Sequence, residues 1–326
     1  MTASRHRGEQ ALAMRRLVRS PWGSRPLAAT VLDEVDRHSH NPGMIASRST
    51  EETRSRSSAP RPIPIRRPGF HFAGMPRYWF GGDPFLTHLM HALSLTFPGG
   101  ERFFMDAVRH YETRVHSAEL RHEIASFLGQ ESLHARAHAD FNAWIRSAGF
   151  DTRSVEENIV RGLARARERP HRVQLAMTCA LEHFTAMIAE VLLDSPDMQA
   201  LMHPEARRLF VWHALEETEH KAVAFDTYLA IGGSYRTRVL TMLMTTVYFI
   251  VGIAMAQERL LRGDAGARGA VRLKGLVKLW VRPGWFRRLV PAYLDYFRPT
   301  FHPWDRAPRS AMEPYLRELQ PAVLKP

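Results

Sequence analysis

The chain has 326 residues, 45% of them hydrophobic, a formal net charge of +12 at pH 7 and a single cysteine, Cys179. That length and apolar content can bury a substantial core. One cysteine excludes an intrachain disulfide and a Cys-based metal cluster within the chain, and makes the reducing cytoplasm the expected compartment.

Charge is unevenly spread. Residues 1–67 carry 13 Lys and Arg against 6 acids, residues 236–326 carry 16 against 6, and the middle is acidic. Carboxylates concentrated between basic flanks suggest a purpose in the middle and an anionic partner for the flanks. The first 60 residues hold the run SRSTEETRSRSSAPRP and show no helical or alternating period, so 1–60 is expected to be a disordered basic tail. No apolar run follows Met1, so no secretory signal is expected, and Met44 offers an alternative start. From 67 to 84 several Gly, Pro and aromatic residues suit an irregular segment packed on the domain that follows.

A helix is expected over about 84–97, ending at Pro98-Gly99-Gly100. Four longer helical patterns follow at about 100–116, 118–148, 172–194 and 204–231, with no strand-like alternation. The long connection between the second and third reads as containing a helix of its own. The fold class is therefore all-α, a ferritin-like four-helix bundle over 61–235 with additional helices at both ends.

Side chains spaced by alternating threes and fours share one helix face. In the second helix that stripe is Ile124, Phe127, Glu131, His134, His138 and Phe141; in the fourth it is Leu209, His213, Glu217, His220 and Ala224. The third runs Leu175, Cys179, Glu182, Ala186, Ala189, and the first aligns Glu101 with Phe104, Met105 and Val108. Each helix thus turns at least one carboxylate inward. Four buried carboxylates are costly unless compensated, and two divalent cations would neutralise them. The expected metal ligands are Glu101, Glu131, His134, Glu182, His213, Glu217 and His220, arranged as a Glu from each of two helices and a Glu-x-x-His from each of the other two.

With 21 Glu and 17 His, about one Glu-x-x-His is expected by chance, and four occur. Glu119-x-x-His122 falls about 120° off the stripe, and Glu168-x-x-His171 contains Pro170. The other two lie on the seam. For His213 the alternative to ligation is a hydrogen bond behind the ligands; His138, one turn beyond His134, is not expected to ligate. Glu217 rather than Glu216 has the right offset to both histidines. Cys179 reads as a small core residue, and His183 and Glu219 as pointing away.

This order of ligands resembles the diiron arylamine N-oxygenases, which are similar in carrying one extra His, matched by His213. The segments FPGGERF, GQESLHARAH, LEHFTA, WHALEETEHKAVAFD and YFRPTFHPW resemble the bacterial family described as predicted metal-dependent hydrolase, over most of residues 62–305. Oxygen and nitrogen donors without thiolate suit iron, the favoured metal, or manganese or zinc. With iron, the expected activity is oxidation or oxygenation of a small-molecule substrate by dioxygen, with an electron donor as partner. Seven protein ligands crowd the pair, which favours this over hydrolysis by a metal-activated water, the alternative. Non-enzymatic ferritin-like iron binding is a third reading.

Residues 236–326 read as an apolar helix followed by a basic aromatic extension. The uncharged stretch 239–256, VLTMLMTTVYFIVGIAMA, spans about 27 Å, close to a hydrocarbon core. It fits a membrane span or a buried helix. The later LKGLVKLWVRPGWFRRLVPAYLDYF interleaves cations with Trp, Phe and Leu as interfacial segments do, so a membrane surface is an expected partner. Nucleic acid is not expected, because no recognised binding module accompanies the basic residues.

Overall fold

A computed structural model describes residues 63–306 and 309–319. The expected tail, 1–60, lies outside the described residues. Those described are all-α: α1 (Pro84–Arg109), α2 (Ala118–Ser147), α3 (Arg153–Arg167), α4 (His171–Leu193), α5 (Pro196–Ala200), α6 (Pro204–His220), α7 (Val223–Ala230), α8 (Tyr235–Arg262), α9 (Val271–Trp280), α10 (Leu289–Asp295) and α11 (Arg309–Leu319). The β pairing among them is an isolated bridge between Phe80 and Met202.

Local chemistry sets the starts of these helices. Asp83 accepts hydrogen bonds from Phe85 N and Leu86 N with Pro84 in the first turn, and Ser117 and Ser234 cap α2 and α8 the same way. The ends are less local. The helix expected to stop at Pro98 runs on, so 84–97 and 100–109 form one helix. Proline removes the N–H that would bond the carbonyl four residues earlier, here Ser94. Asn142 Nδ2 of α2 donates to that carbonyl at 3.1 Å, so the missing bond is replaced from the neighbouring helix. Gly99 completes the arrangement: a Cβ there would meet Leu163 Cδ1 at 2.7 Å, so the glycine lets α3 lie close against α1.

The pattern expected over 204–231 divides at Lys221-Ala222 into α6 and α7. Both turn residues keep right-handed φ and ψ, so the hydrophobic period continues through the break.

Helices α1, α2, α6 and α4 pack in a ring. Ser94 meets His138 and Asn142 of α2, while Glu101 meets His134, so α1 and α2 are antiparallel. Cys179 donates to Ala224 O and Glu182 lies by His220, so α4 runs antiparallel to α6 and α7. Helix α3 lies in the connection between α2 and α4, and α8 covers α1 and α4 from outside.

The apolar core is in two parts. One contains Leu95, Phe141, Ala189 and Leu209; the other contains Phe104, Phe127, Cys179 and Ala224. Helices α1, α2 and α4 pass from one part to the other, α6 reaches the second part through its continuation α7, and the polar residues of the stripes lie at the crossing.

Candidate metal centre

The seven sequence-derived residues meet in that layer. One nitrogen or oxygen from each of Glu101, His134 and His213 lies within 4.8 Å of the others, and so it does for Glu131, Glu182, Glu217 and His220. All seven are buried, none more than 5% exposed. Glu217 faces both groups. Its Oε1 lies 3.0 Å from His213 Nε2 and 3.6 Å from His134 Nδ1, and its Oε2 lies 3.6 Å from His220 Nε2. His220 Nε2 is also 3.1 Å from Glu131 Oε1 and 3.6 Å from Glu182 Oε2.

Hydrogen bonds behind the three histidines fix which nitrogen faces the layer. Gln130 Nε2 donates to Pro64 O at 2.9 Å, which turns Gln130 Oε1 toward His220 Nδ1, 2.8 Å away. An amide oxygen can only accept, so Nδ1 carries the proton and Nε2 faces the carboxylates. A second chain starts at a backbone carbonyl. Asn142 Nδ2 donates to Ser94 O, so Asn142 Oδ1 accepts from Ser94 Oγ at 2.8 Å. Ser94 Oγ must then accept from His138 Nδ1 at 2.9 Å, leaving His138 Nε2 to accept from His213 Nδ1 at 2.8 Å. His213 Nε2 is therefore the bare nitrogen and points at Glu217. The third histidine follows suit: His134 Nε2 donates to Glu216 Oε2 at 3.1 Å, which turns Nδ1 inward.

What these atoms face is not hydrogen-bond partners. Both oxygens of Glu101, Glu131 and Glu182, together with Glu217 Oε2, His134 Nδ1 and His220 Nε2, are buried with no hydrogen bond. Nine electron-rich atoms converging without donors are unstable unless protons or cations enter. Without a cation the layer takes up protons. Burial, then the neighbouring carboxylates, holds Glu101 and Glu182 well above the usual carboxylate range, and burial pushes Glu131 up to about 6 against the pull of His220. Burial acts on Glu217 in the same direction, but His220 and His213 outweigh it and hold its carboxyl well below the ordinary value. His220 is held well above its own ordinary value: burial alone would lower it, and Glu217 overrides that. Hard oxygen and imidazole donors of this kind suit metal binding, and Glu217 lies where the two groups meet.

Residues on and beside the stripe sort themselves by this geometry. His138 joins His213 to Ser94, and Glu216 faces His134 and Arg66 rather than the layer. Glu119, His122, Glu168 and His171 are exposed. His183 bonds Ala292 O at 3.0 Å, and Glu219 is held by Arg66. Sequence reasoning missed Arg66, Gln130, Ser94 and Asn142. Asn142 lies one turn beyond His138, and Ser94 seven residues before Glu101, so both carried a helical signal. Gln130 is off the stripe and Arg66 lies in an irregular segment, so neither did.

Two clefts lie between α4 and the chain following α8. The larger, about 210 Å³, is lined in part by Met187, Glu190, Val191, Asp194, Arg288 and Arg306. Neither shares a lining residue with the seven.

No curated protein and no solved structure matches the chain. A family model described as predicted metal-dependent hydrolase matches residues 64–307, a span that includes every residue of the buried layer. With three quarters of its length covered, the chain belongs to the predicted metal-dependent hydrolase family.

Proposed function

We propose that Glu101, Glu131, His134, Glu182, His213, Glu217 and His220 bind two divalent metal ions in a ferritin-like bundle, and that the protein is a metal-dependent hydrolase. The observation that carries this is the set of nine buried donor atoms without partners, beside two adjoining groups of metal-capable residues, one containing Glu217 and the other facing it. When bound, such a pair lowers the pKa of water and polarises a carbonyl or phosphoryl oxygen of a small-molecule substrate. The four carboxylates balance the charge of two divalent ions. Gln130, His138 and Glu216 hold the three imidazoles in the tautomers that ligation requires. Phe97 packs on His213 and His138, with ring centroids 4.6 and 4.7 Å apart, and keeps water from that side. Iron, manganese and zinc all suit these donors, and buried Cys179 suits a reducing cytoplasm.

Oxidation by dioxygen at two irons is the second reading. One observation favours it: seven protein donors surround the pair, more than hydrolytic centres usually spend. An electron donor would then be a partner. The readings separate in one experiment. Zinc- or manganese-loaded protein, assayed without oxygen against ester, amide and phosphoester substrates, is expected to turn over in proportion to its metal content. Absence of hydrolysis with every metal, together with oxygen uptake by the reduced iron-loaded protein, would overturn hydrolysis in favour of oxidation.

Metal affinity should depend on pH. Glu131, raised to about 6 by burial, is protonated below that value, and a cation must displace the proton. Affinity is expected to rise as pH increases through about 6 and to be accompanied by proton release. Competition titrations against a chelating dye from acid to neutral pH measure it. An affinity that is flat across this range would contradict the protonated layer.

A further inference from the structure

We propose that the uncovered face of α8, with α9 and α10 beside it, docks flat on an anionic lipid bilayer. Two helices among the described residues are long and apolar enough to cross a membrane, and they differ in where they lie. In α4, 72% of the most apolar stretch is buried, as a core helix should be, whereas in α8 the figure is 28%. On α8, Leu243, Val247, Ile250, Val251 and Met255 are exposed, at spacings that place them on one face. No charge interrupts that face between Arg238 and Glu258. Unbroken exposed apolar surface of this kind marks an interaction site rather than solvent.

The opposite face is already committed. Met242, Thr245, Ile253, Ala256 and Leu260 are buried, and Gln257 Nε2 donates to Phe85 O at 3.0 Å. Arg238 is buried over the rings of Phe225, Tyr235, Tyr296 and Phe301. A helix spanning a bilayer alone would have to surrender all of these contacts. One lying in the interface keeps them and buries its free face in lipid.

The neighbouring helices extend the same character. On α9, Leu273, Leu276, Val277 and Trp280 are exposed, and on α10 Val290 and Leu294. Arg272 pairs with Glu258 and ties α9 to the end of α8, and Tyr293 bonds Thr246 and ties α10 to its middle. Exposed Trp280 and Tyr248 are residues of the type that favours the headgroup level.

Charge selects the partner. Residues 236–306 hold thirteen Lys and Arg against four acids. Every one of those acids is already engaged: Glu258 by Arg262 and Arg272, Asp264 by His88 and Tyr78, Asp295 by Arg306, and Asp305 by the backbone N–H of His302. Arg236, Arg259, Lys274 and Arg282 are exposed and face no acid among the described residues. A second copy of this chain on the face would bring these cations against one another. Anionic headgroups would neutralise them while the acyl region takes the apolar side chains.

The test is co-sedimentation of the full-length protein with vesicles of phosphatidylcholine alone or mixed with phosphatidylserine. Binding is expected on the mixed vesicles, to weaken with salt, and to be slight on the neutral ones. Replacing Arg259→Ser and Lys274→Ser should weaken it roughly tenfold or more, and Val247→Glu with Val251→Glu should abolish it. Both pairs are exposed and remote from the buried layer, so helical circular dichroism and metal content should be unchanged, which separates this result from any failure of the metal assignment. Equal binding to both vesicle types, or a dimer that Val247→Glu dissociates without any vesicle binding, would overturn the proposal. So would protein extractable only by detergent, which would indicate a span.

Discussion

Glu131→Ala and Glu217→Ala are each expected to strip most of the bound metal, from about two ions per chain, while Glu119→Ala leaves it unchanged. All three remove a carboxylate from a Glu-x-x-His. Only Glu131 and Glu217 are buried in the layer; Glu119 is exposed near the start of α2. Glu217 faces both groups, so its loss should reach both ions, whereas loss of Glu131 falls first on the group with Glu182 and His220.

Thermal melts give a second readout. A metal that binds only the folded protein at a hundredfold excess over its dissociation constant contributes about 2.7 kcal/mol. That increment should vanish in Glu131→Ala and Glu217→Ala. The metal-free Glu131→Ala variant should melt no lower than the metal-free parent, because the alanine removes a buried carboxylate that lacks a hydrogen bond. Equal metal loss from Glu119→Ala and Glu131→Ala would sink the assignment of the layer.

Much of this centre was legible in sequence, because a helix converts spacing into facing. Apolar residues at both ends of three of the stripes, and following Glu101 on the other, set the inward direction, so the polar residues aligned with them had to be inward too. The four helices carry the stripes with one carboxylate or more apiece, and the structure brings those residues together. Helix ends were less legible. Pro98 read as a stop because sequence alone does not reveal that Asn142, 44 positions on, bonds the carbonyl the proline leaves free. The break after His220 was hidden because no glycine or proline marks it. The supports of the histidines divide in the same way: Asn142 and Ser94 lie on stripes, whereas Gln130 and Arg66 act from off the seam or from a segment without period.

Arg66→Ala is expected to cost about 3–5 kcal/mol, the largest stability loss of any single change outside the seven. Arg66 is 3% exposed. Its Nη1 and Nη2 each reach an oxygen of Glu219 at 2.7 Å, and Nη1 reaches Glu216 Oε1 at 3.2 Å. Alanine leaves both carboxylates buried without a counter-charge, although Glu216 still accepts from His134 Nε2 and Glu219 from Gln130 Nε2. Burial already pushes Glu216 up to about 7 against the pull of Arg66, and without the guanidinium its pKa must rise further. A raised carboxylate pKa costs the folded state stability as pH increases through it, so the deficit should be smaller at pH 6 than at pH 8. Urea unfolding at the two pH values measures this. A loss below about 1 kcal/mol at the higher pH would class the contact with ordinary surface pairs. The same variant tests how far support reaches into the centre. Glu216 Oε2 accepts from His134 Nε2 and so turns Nδ1 inward. Once protonated, Glu216 is a poorer acceptor, and metal affinity should fall by roughly 10–100-fold although no residue of the seven has changed. Replacing Arg66→Met together with Glu219→Met and Glu216→Gln should recover stability, because it removes the stranded charges and keeps an amide oxygen for His134. Metal affinity recovering alongside stability would trace the loss to the orientation of one imidazole rather than to a loosened fold.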